Sequence, residues 1–376
     1  MPDPVAGSSV GGAALDGVGL VDHHCHGVRT AELDRAAVEA DLTEASGSGT
    51  WHGSMFDTQA GLAVRRWCAP LLDLPPHADA GAYIARRAEL GAAEVNRRLV
   101  AAAGIADFVV DTGFLGDQLT SPDDLAGLAG GRGHEIVRLE QVAEQVVGTP
   151  DYATAFRAEL AKRAETAVGF KSIAAYRVGL DLDPDPPSDS EVTKAAAAWA
   201  RAGGSRLADR VLIRFGIWAA LEYRLPVQFH VGYGDSDVDL LRCDPLQLTA
   251  LLRATQRLGV PIMLLHNYPF HRNAGYLAQV FDHVFVDVGL AVQNVGDAGA
   301  RRVVSELLEI APFGSVLFST DAFGLAELYV TSTVQFRRAL GAVLDEGLRD
   351  DAWTTADAER IAQQIGAGNA RRVYGI

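Results

Sequence analysis

Length, composition and charge exclude several classes of protein. The chain has 376 residues, enough for one large α/β barrel or for two ordinary domains, and 48% hydrophobic with 22% charged residues is typical of a globular protein. The 33 Lys+Arg against 48 Asp+Glu give a net charge of −15 without a basic cluster, so neither nucleic acid nor a membrane is expected as a partner. We expect a soluble, cytoplasmic protein, since no apolar run approaches the roughly 18 residues of a membrane span and the first basic residue is Arg29.

Eight short apolar runs, rich in Val, Ile, Leu and Phe, predict eight β-strands. Most are continuously hydrophobic, as in strands that are covered on both faces. In chain order the runs are residues 19–26, 105–113, 134–140, 167–176, 226–234, 261–268, 283–290 and 315–324. Stretches with helical spacing lie between them, such as 191–224. This alternation predicts an α/β fold, a (β/α)8 TIM barrel, with an open doubly wound sheet as the alternative.

The first two predicted strands are separated by an unusually long segment. Residues 27–104 exceed an ordinary βα loop, and part of this segment has helical spacing. Loops that follow the strands of such a barrel lie over its catalytic face. We therefore expect one domain over residues 1–376, with a mostly helical cap insertion at 30–100 that shapes the substrate pocket.

A His-x-His pair ends the first predicted strand. Residues two apart in a strand share a face, so His24 and His26 point the same way and form a chelating pair for a divalent metal. His23 faces the other way and is interpreted as structural. Taken alone, the pair is weak evidence for a metal.

Three further polar residues stand at the carboxyl ends of apolar runs. They are His230, His266 and Asp321. A single histidine in such a place is more often a core residue, but five potential ligands at the same end of four strands converge on the mouth of one barrel. Clustered buried imidazoles and a carboxylate are costly without a cation, so the set indicates a metal site.

Lys171 lies within the fourth predicted strand, in a chain that contains only three lysines. Burial favours the neutral amine, which can react with carbon dioxide to form a carbamate, an anionic oxygen ligand able to bridge two metals. An unmodified lysine that binds substrate and a structural lysine are the other interpretations.

These residues together resemble the amidohydrolase superfamily. Within it, the chain is similar to the amidohydrolase-related (amidohydrolase 2) group that includes the N-terminal half of nodulin/glutamine-synthetase fusion proteins. The shared motifs are GFKSIAAYRVGL at 169–180, FSTDA at 318–322 with Glu327 nearby, and GNARRVYG at 368–375. The likeness extends from the first strand to the last helix and implies a TIM barrel.

The resemblance also implies a ligand set for one or two divalent ions. Its members are His24, His26, Lys171 (carbamylated as the bridge between two ions), His230, His266 and Asp321. Zinc is favoured, and manganese, iron, cobalt and nickel are the alternatives. A bound ion supplies hydroxide at neutral pH, Asp321 moves the proton, and His266 is either a ligand or the group that stabilises the oxyanion.

Five residues are candidates for contact with the substrate: Tyr176, Arg177, Asn267, His271 and, in the cap, Trp51. Arg177 is suited to clamp a carboxylate, although an ion pair with a neighbour such as Asp181 explains it equally well.

Three functions compete for this set of residues. The leading hypothesis is metal-dependent hydrolysis of a C–N bond, of the amide type, in a small polar or carboxylated molecule. The others are non-oxidative decarboxylation and ligand binding with a structural metal. We expect a small-molecule substrate and treat a homo-oligomer as an open option.

Overall fold

Seven parallel strands form the central sheet, in the order β1 to β7 along both the chain and the sheet. The computed structural model describes residues 10–45 and 53–376. The strands are β1 (Leu20–Cys25), β2 (Ile105–Asp111), β3 (Arg132–Arg138), β4 (Gly169–Ser172), β5 (Val227–Val231), β6 (Ile262–His266) and β7 (Val284–Val286). All residues of β1, β4, β5, β6 and β7 are buried, because helices cover the outside of the sheet and side chains fill its inside.

Residues 316–322 close the sheet into a barrel. The Leu317 N–H donates to the Val286 carbonyl of β7, and the His23 N–H of β1 donates to the Phe318 carbonyl. This segment replaces the predicted eighth strand, which is not regular. One cause is that the Thr320 N–H donates to the Asp22 carboxylate, at 2.9 Å, instead of a strand carbonyl. The TIM barrel is confirmed, with an irregular eighth member.

Helices alternate with these strands. The α-helices are α1 (Val10–Ala13), α2 (Arg35–Ala40), α3 (Gln59–Ala63), α4 (Ala80–Leu90), α5 (Ala92–Ala102), α6 (Pro122–Ala129), α7 (Leu139–Gln145), α8 (Tyr152–Ala164), α9 (Ala174–Arg177), α10 (Asp189–Arg201), α11 (Arg210–Leu221), α12 (Thr249–Thr255), α13 (His271–Val280), α14 (Gly289–Asn294), α15 (Gly296–Leu307), α16 (Ala326–Arg349), α17 (Thr355–Gln363) and α18 (Asn369–Tyr374). Within the described ranges, no helix is both long and apolar enough to cross a bilayer.

Several predicted strands run too far at their carboxyl ends. The fourth was expected to reach residue 176, but β4 ends at Ser172 and α9 follows. The buried Glu140 carboxylate accepts hydrogen bonds from the Ser172 hydroxyl (2.8 Å) and the Ile173 N–H (3.0 Å), which turns the chain out of the strand. Tyr176 therefore lies on a helical turn above the barrel.

The described part of segment 30–100 is largely helical and is anchored to the barrel. Its α4 carries Tyr83 and Arg87, whose side chains both bond to Glu327 at the start of α16. The Arg87 Nε–Glu327 Oε1 distance is 2.6 Å and the Glu327 side chain is fully buried. Glu327, which was noted beside a shared motif, thus fastens this segment to the helix that follows Asp321.

Candidate metal centre

Three side chains meet at the carboxyl end of the barrel. The Nε2 atoms of His24 and His26 lie 3.1 Å and 3.4 Å from Oδ1 of Asp321. One ligand atom from each residue can be chosen so that all lie within 4.8 Å of one another. They come from the two ends of the barrel strand order, and they meet because residues 316–322 pair with β1.

Two further imidazoles complete the cluster. The Nδ1 atom of His266 lies 3.6 Å from Oδ2 of Asp321, and the ring centroids of His230 and His266 are 4.6 Å apart. His24 and His266 are 5.4 Å apart by the same measure. The five residues at the predicted strand ends therefore gather around one point.

The buried nitrogens of this cluster provide the test of whether a cation fits. Among the described residues, His24 Nδ1, His230 Nε2 and both ring nitrogens of His266 are buried without a hydrogen-bond partner. An unpartnered buried polar atom costs about 1–3 kcal/mol. Imidazole nitrogen and carboxylate oxygen are the ligands that zinc and similar ions prefer, so a divalent cation fits these atoms.

Two of the cluster residues have unusual backbone conformations. His266 and Asp321 adopt φ of 68° and 52°, in the left-handed region of backbone conformation that residues other than glycine rarely adopt. Such strain is found at functional sites, where the surrounding contacts enforce it. Here the His266 N–H donates to the Asp287 carboxylate (2.9 Å) and the Asp321 N–H donates to the His24 carbonyl (3.0 Å), which hold both turns.

Electrostatics keep the cluster in the protonation states that metal binding requires. Burial, reinforced by the charge of Lys171, lowers the pKa of His24 to about 3. Burial likewise lowers the pKa of His266 to about 4. Burial alone raises the pKa of Asp321, but the neighbouring His266 and His24 outweigh it and hold that pKa well below its usual value. At neutral pH the imidazoles of His24, His230 and His266 are therefore neutral and the Asp321 carboxylate is ionised.

Lys171 is buried beside the cluster, with 1% of its surface exposed. Burial lowers its pKa from 10.5 to about 8, although Asp111 and Asp321 oppose the shift. The neutral fraction of the amine near neutral pH is therefore larger than that of an ordinary lysine. This is the chemical state that carbamate formation needs, and the modification itself stays a prediction.

A layer of buried polar residues supports the cluster from below. His23 faces away from the site, as expected, and its Nε2 lies 2.9 Å from the Asp287 carboxylate. Its Nδ1 is 3.1 Å from the Tyr374 hydroxyl of α18. Because Asp287 also holds the backbone of His266, this layer links β1, β7 and the C-terminal helix beneath the ligands.

A cavity of about 400 Å³ opens above the cluster, a size suited to a small molecule. Its floor is formed by the predicted ligand set: His24, His26, Lys171, His230, His266 and Asp321. Tyr176 and Arg177 line its wall, and the Tyr176 ring centroid is 4.4 Å from that of His230.

The remaining predicted substrate contacts lie elsewhere. Asn267 is fully buried and donates to the carbonyls of Leu264 (2.5 Å) and Asp287 (3.0 Å), and His271 is paired with Glu306. Neither lines the cavity, so the expectation for these two is corrected: the turn after β6 directs them into the protein. Trp51 lies outside the described residues.

Arg177 has a different partner from the one expected. Its Nη1 is 3.1 Å from Glu144 Oε1 and also donates to the Leu207 carbonyl, whereas Asp181 pairs with Arg210 and Arg242. Arg177 therefore does form an ion pair, but with Glu144 and not with Asp181. Glu144 lies on α7, far from Arg177 in the sequence, so the sequence does not reveal this contact.

Sequence reasoning missed several residues of the cavity wall, among them Glu44, Phe114 and Arg138. Glu44 follows α2 in the segment 30–100, and burial together with Asp321 and Asp235 raises its pKa to about 8. Phe114 lies against His26, with ring centroids 5.1 Å apart. Arg138 is the last residue of β3, at the same kind of strand end that identified the histidines, and that position was the available signal.

The metal-free protein is expected to lose stability in mild acid. A histidine whose pKa is lowered by folding contributes stability above pH 6.5, and this contribution is lost as the pH falls towards the folded-state pKa. For His24 and His266 we expect a loss of about 1 kcal/mol each between pH 7 and pH 5.5. Urea unfolding of chelator-treated protein at both pH values measures it. The His266→Gln variant should lose about 1 kcal/mol less than the wild type; equal losses would contradict the assignment.

Comparison with known families shows which family the chain belongs to. A family model described as amidohydrolase matches residues 21–376. The chain belongs to the amidohydrolase family. A candidate metal-dependent hydrolase from Lactobacillus casei has a similar crystal structure, with a TM-score of 0.84, 31% identity and 96% of each chain covered. The chain therefore has the fold of the family's metal-dependent hydrolases, and its His/Asp cluster is a site for a divalent metal.

More distant relatives share less of the protein or only its fold. Protein fluG of Emericella nidulans is 33% identical over 221 residues, which are 55% of this chain and 25% of that protein, so the match spans a quarter of its length. A uronate isomerase from Bacillus halodurans has a TM-score of 0.67 at 14% identity, with 97% of this chain and 95% of that chain covered. At that identity the likeness concerns the fold alone.

Proposed function

We propose that this amidohydrolase-family protein hydrolyses a C–N bond, of the amide type, in a small polar or carboxylated molecule. The observation that carries the proposal is the gathering of four imidazoles around the Asp321 carboxylate at the floor of a small cavity. We also propose a cytoplasmic enzyme with no nucleic-acid or membrane partner, on the net charge of −15.

The residues divide into ligands and a proton carrier. His24, His26, His230 and Asp321 would hold a divalent ion, zinc by preference. When bound, such an ion lowers the pKa of a coordinated water towards about 7 and polarises a carbonyl. The second oxygen of Asp321, Oδ2, faces His266 at 3.6 Å. This oxygen would take the proton of the attacking water and pass it to the departing amine.

His266 and Lys171 determine whether one ion or two are held. The two residues lie on either side of β5, on β6 and β4, and both line the cavity floor. With Lys171 carbamylated, they would complete a second ion site with His230. With Lys171 unmodified, His266 would instead donate a hydrogen bond to the developing oxyanion from its neutral ring.

Decarboxylation is the second candidate, and one observation favours it. The ligand atoms of His24, His26 and Asp321 lie within 4.8 Å of one another, which is a cluster for a single ion. In the superfamily a single ion suffices for a decarboxylase, which does not require the lysine on β4. The buried Lys171 favours hydrolysis.

Product analysis separates the two reactions. The zinc-loaded protein is incubated with a panel of small carboxylated amides and of aromatic carboxylic acids. Hydrolysis predicts release of ammonia or amine without carbon dioxide, and Asp321→Asn should abolish it. Carbon dioxide release without amine would replace the hydrolase proposal by the lyase. An amide panel left intact alongside active decarboxylation would do the same.

A further inference from the structure

One cationic side chain reaches the cavity from the end of β3 and has no role in holding the ion. Arg138 lines the cavity, with its side chain 12% exposed. Its Nε and Nη2 atoms donate to Oδ2 of Asp111, at 3.0 Å and 2.6 Å. The third nitrogen, Nη1, has no hydrogen-bond partner in the described part of the chain. A guanidinium fixed by two bonds thus keeps one donor for a ligand.

The residues around Arg138 restrict the position of its guanidinium. A Cβ atom on Gly113 would lie 2.3 Å from the Cβ of Arg138 and 3.0 Å from its Nε, so only glycine leaves room for the side chain. The guanidinium carbon lies 5.7 Å from the centre of the Phe114 ring. Since glycine, ring and carboxylate restrict the side chain together, little conformational entropy remains to be lost when a ligand binds.

Arg138 lies next to the proposed reacting end of the cavity. It pairs in register with Lys171 of β4. The carbonyl of its partner Asp111 accepts a hydrogen bond from Nδ1 of His26, at 3.0 Å. Arg138 therefore neighbours Lys171 on one side and is linked to His26 through Asp111 on the other.

The other arginines of the cavity are less suited to this role. Arg177 is held through Nη1 alone, by Glu144 and a backbone carbonyl, and its Nε is buried without a partner. Arg206 is paired with Asp237 at 2.8 Å, and half of its side chain is exposed, so water and salt screen its charge. Arg138 differs from both because one carboxylate fixes it through two nitrogens, which leaves Nη1 for a ligand.

We propose that Arg138 is a specificity-determining residue whose Nη1 binds a carboxylate of the substrate. This rests on the proposed function and narrows its substrate class to small amides that carry a carboxylate close to the reacting carbonyl. An arginine held on one side by Asp111 presents its remaining N–H groups to the anion, and such charge-assisted bonds are among the strongest polar contacts.

The competing explanation is that Arg138 serves only to neutralise the buried Asp111. The variant pair Asp111→Asn and Arg138→Gln/Asp111→Asn separates the two. The double variant removes both charges, so no buried carboxylate is left unpaired. Lys162→Gln removes one positive charge from the distant helix α8, where 75% of its side chain is exposed, and serves as the control.

Binding to metal-stripped protein is measured with succinate and its neutral analogue succinamide, by the shift in thermal unfolding. Without a cation to attract carboxylates, the wild type, Lys162→Gln and Asp111→Asn should each bind succinate more tightly than succinamide. The double variant should lose about tenfold or more in succinate affinity with succinamide unchanged. A preference that persists in the double variant, or that is missing in the wild type, would overturn the proposal.

Ammonia release from succinamate and succinamide by the zinc-loaded enzyme provides a separate readout. If the carboxylate preference in binding is found and neither amide is hydrolysed, the proposed function fails for these probes while the role of Arg138 stands. If both amides are hydrolysed at equal rates by wild type and double variant, the reaction class is supported and the role of Arg138 is rejected.

Discussion

Replacing Asp321 with Asn is expected to reduce kcat by about 10³-fold or more while leaving the fold intact. The amide cannot take the proton of the attacking water at Oδ2. It also removes the negative charge that His24 and His26 approach at 3.1 Å and 3.4 Å. Steady-state assay, with circular dichroism to verify folding, measures the effect. Substrate binding should be affected less than turnover.

The matched control is Asp282→Asn. This aspartate precedes β7 at the opposite end of the barrel, and 86% of its side chain is exposed. Its replacement removes the same charge and should change kcat less than twofold, since surface substitutions away from special features have small effects. If Asp321→Asn retained a tenth of the wild-type rate, Asp321 would not be the proton carrier.

Removal of the divalent ion by a chelator is expected to abolish turnover and to lower stability. The unpartnered nitrogens of His24, His230 and His266 are buried, so the free protein retains polar atoms without partners. Adding zinc at 100 times its dissociation constant should raise the unfolding free energy by about 2.7 kcal/mol and restore activity. Thermal unfolding and activity measured across a zinc titration test both effects.

A His24→Asn/His26→Asn variant separates metal loss from side effects of the chelator. It should resemble the stripped wild type and gain neither stability nor activity from zinc. Full activity of wild-type protein that elemental analysis shows to be metal-free would contradict the assignment. So would a double variant that zinc stabilises as strongly as it stabilises the wild type.

The positions of the candidate ligands could be predicted from the sequence because each buried strand of a parallel barrel is a continuous apolar run, and its carboxyl end is marked by the polar residue that follows. Continuous apolar runs identified β1, β5 and β6, and the polar residue that ends each run identified His24, His230 and His266. Since all strands of such a barrel end on one face, proximity followed from topology without any contact being known. The ring centroids of His24 and His266 lie 5.4 Å apart and those of His230 and His266 lie 4.6 Å apart, in agreement with that reasoning.

The parts that escaped prediction depend on contacts between distant segments. The sequence predicts a regular eighth strand. In the structure the Thr320 N–H donates to the Asp22 carboxylate and Asp321 adopts a left-handed backbone conformation, so the strand is irregular. The partner of Arg177 comes from α7, about 33 residues earlier in the chain. Arg138 was overlooked because β3 is partly polar and exposed at its beginning. A polar residue at its end therefore does not stand out from an apolar run as His230 and His266 do.

The fold does not by itself fix the reaction. The uronate isomerase from Bacillus halodurans shares this architecture. Substrate choice therefore depends on the residues around the cavity. In the proposal made here, Arg138 is the residue of the cavity wall that would select a substrate with a carboxylate.

The most direct test is a crystal structure of the zinc-loaded protein with anomalous diffraction recorded at the zinc edge. We expect an anomalous peak within bonding distance of His24, His26 and Asp321. A second peak between His230 and His266, with extra density on Lys171, would establish the two-ion form. Absence of any peak at the His24–His26–Asp321 cluster, with zinc bound elsewhere or not at all, would contradict the account.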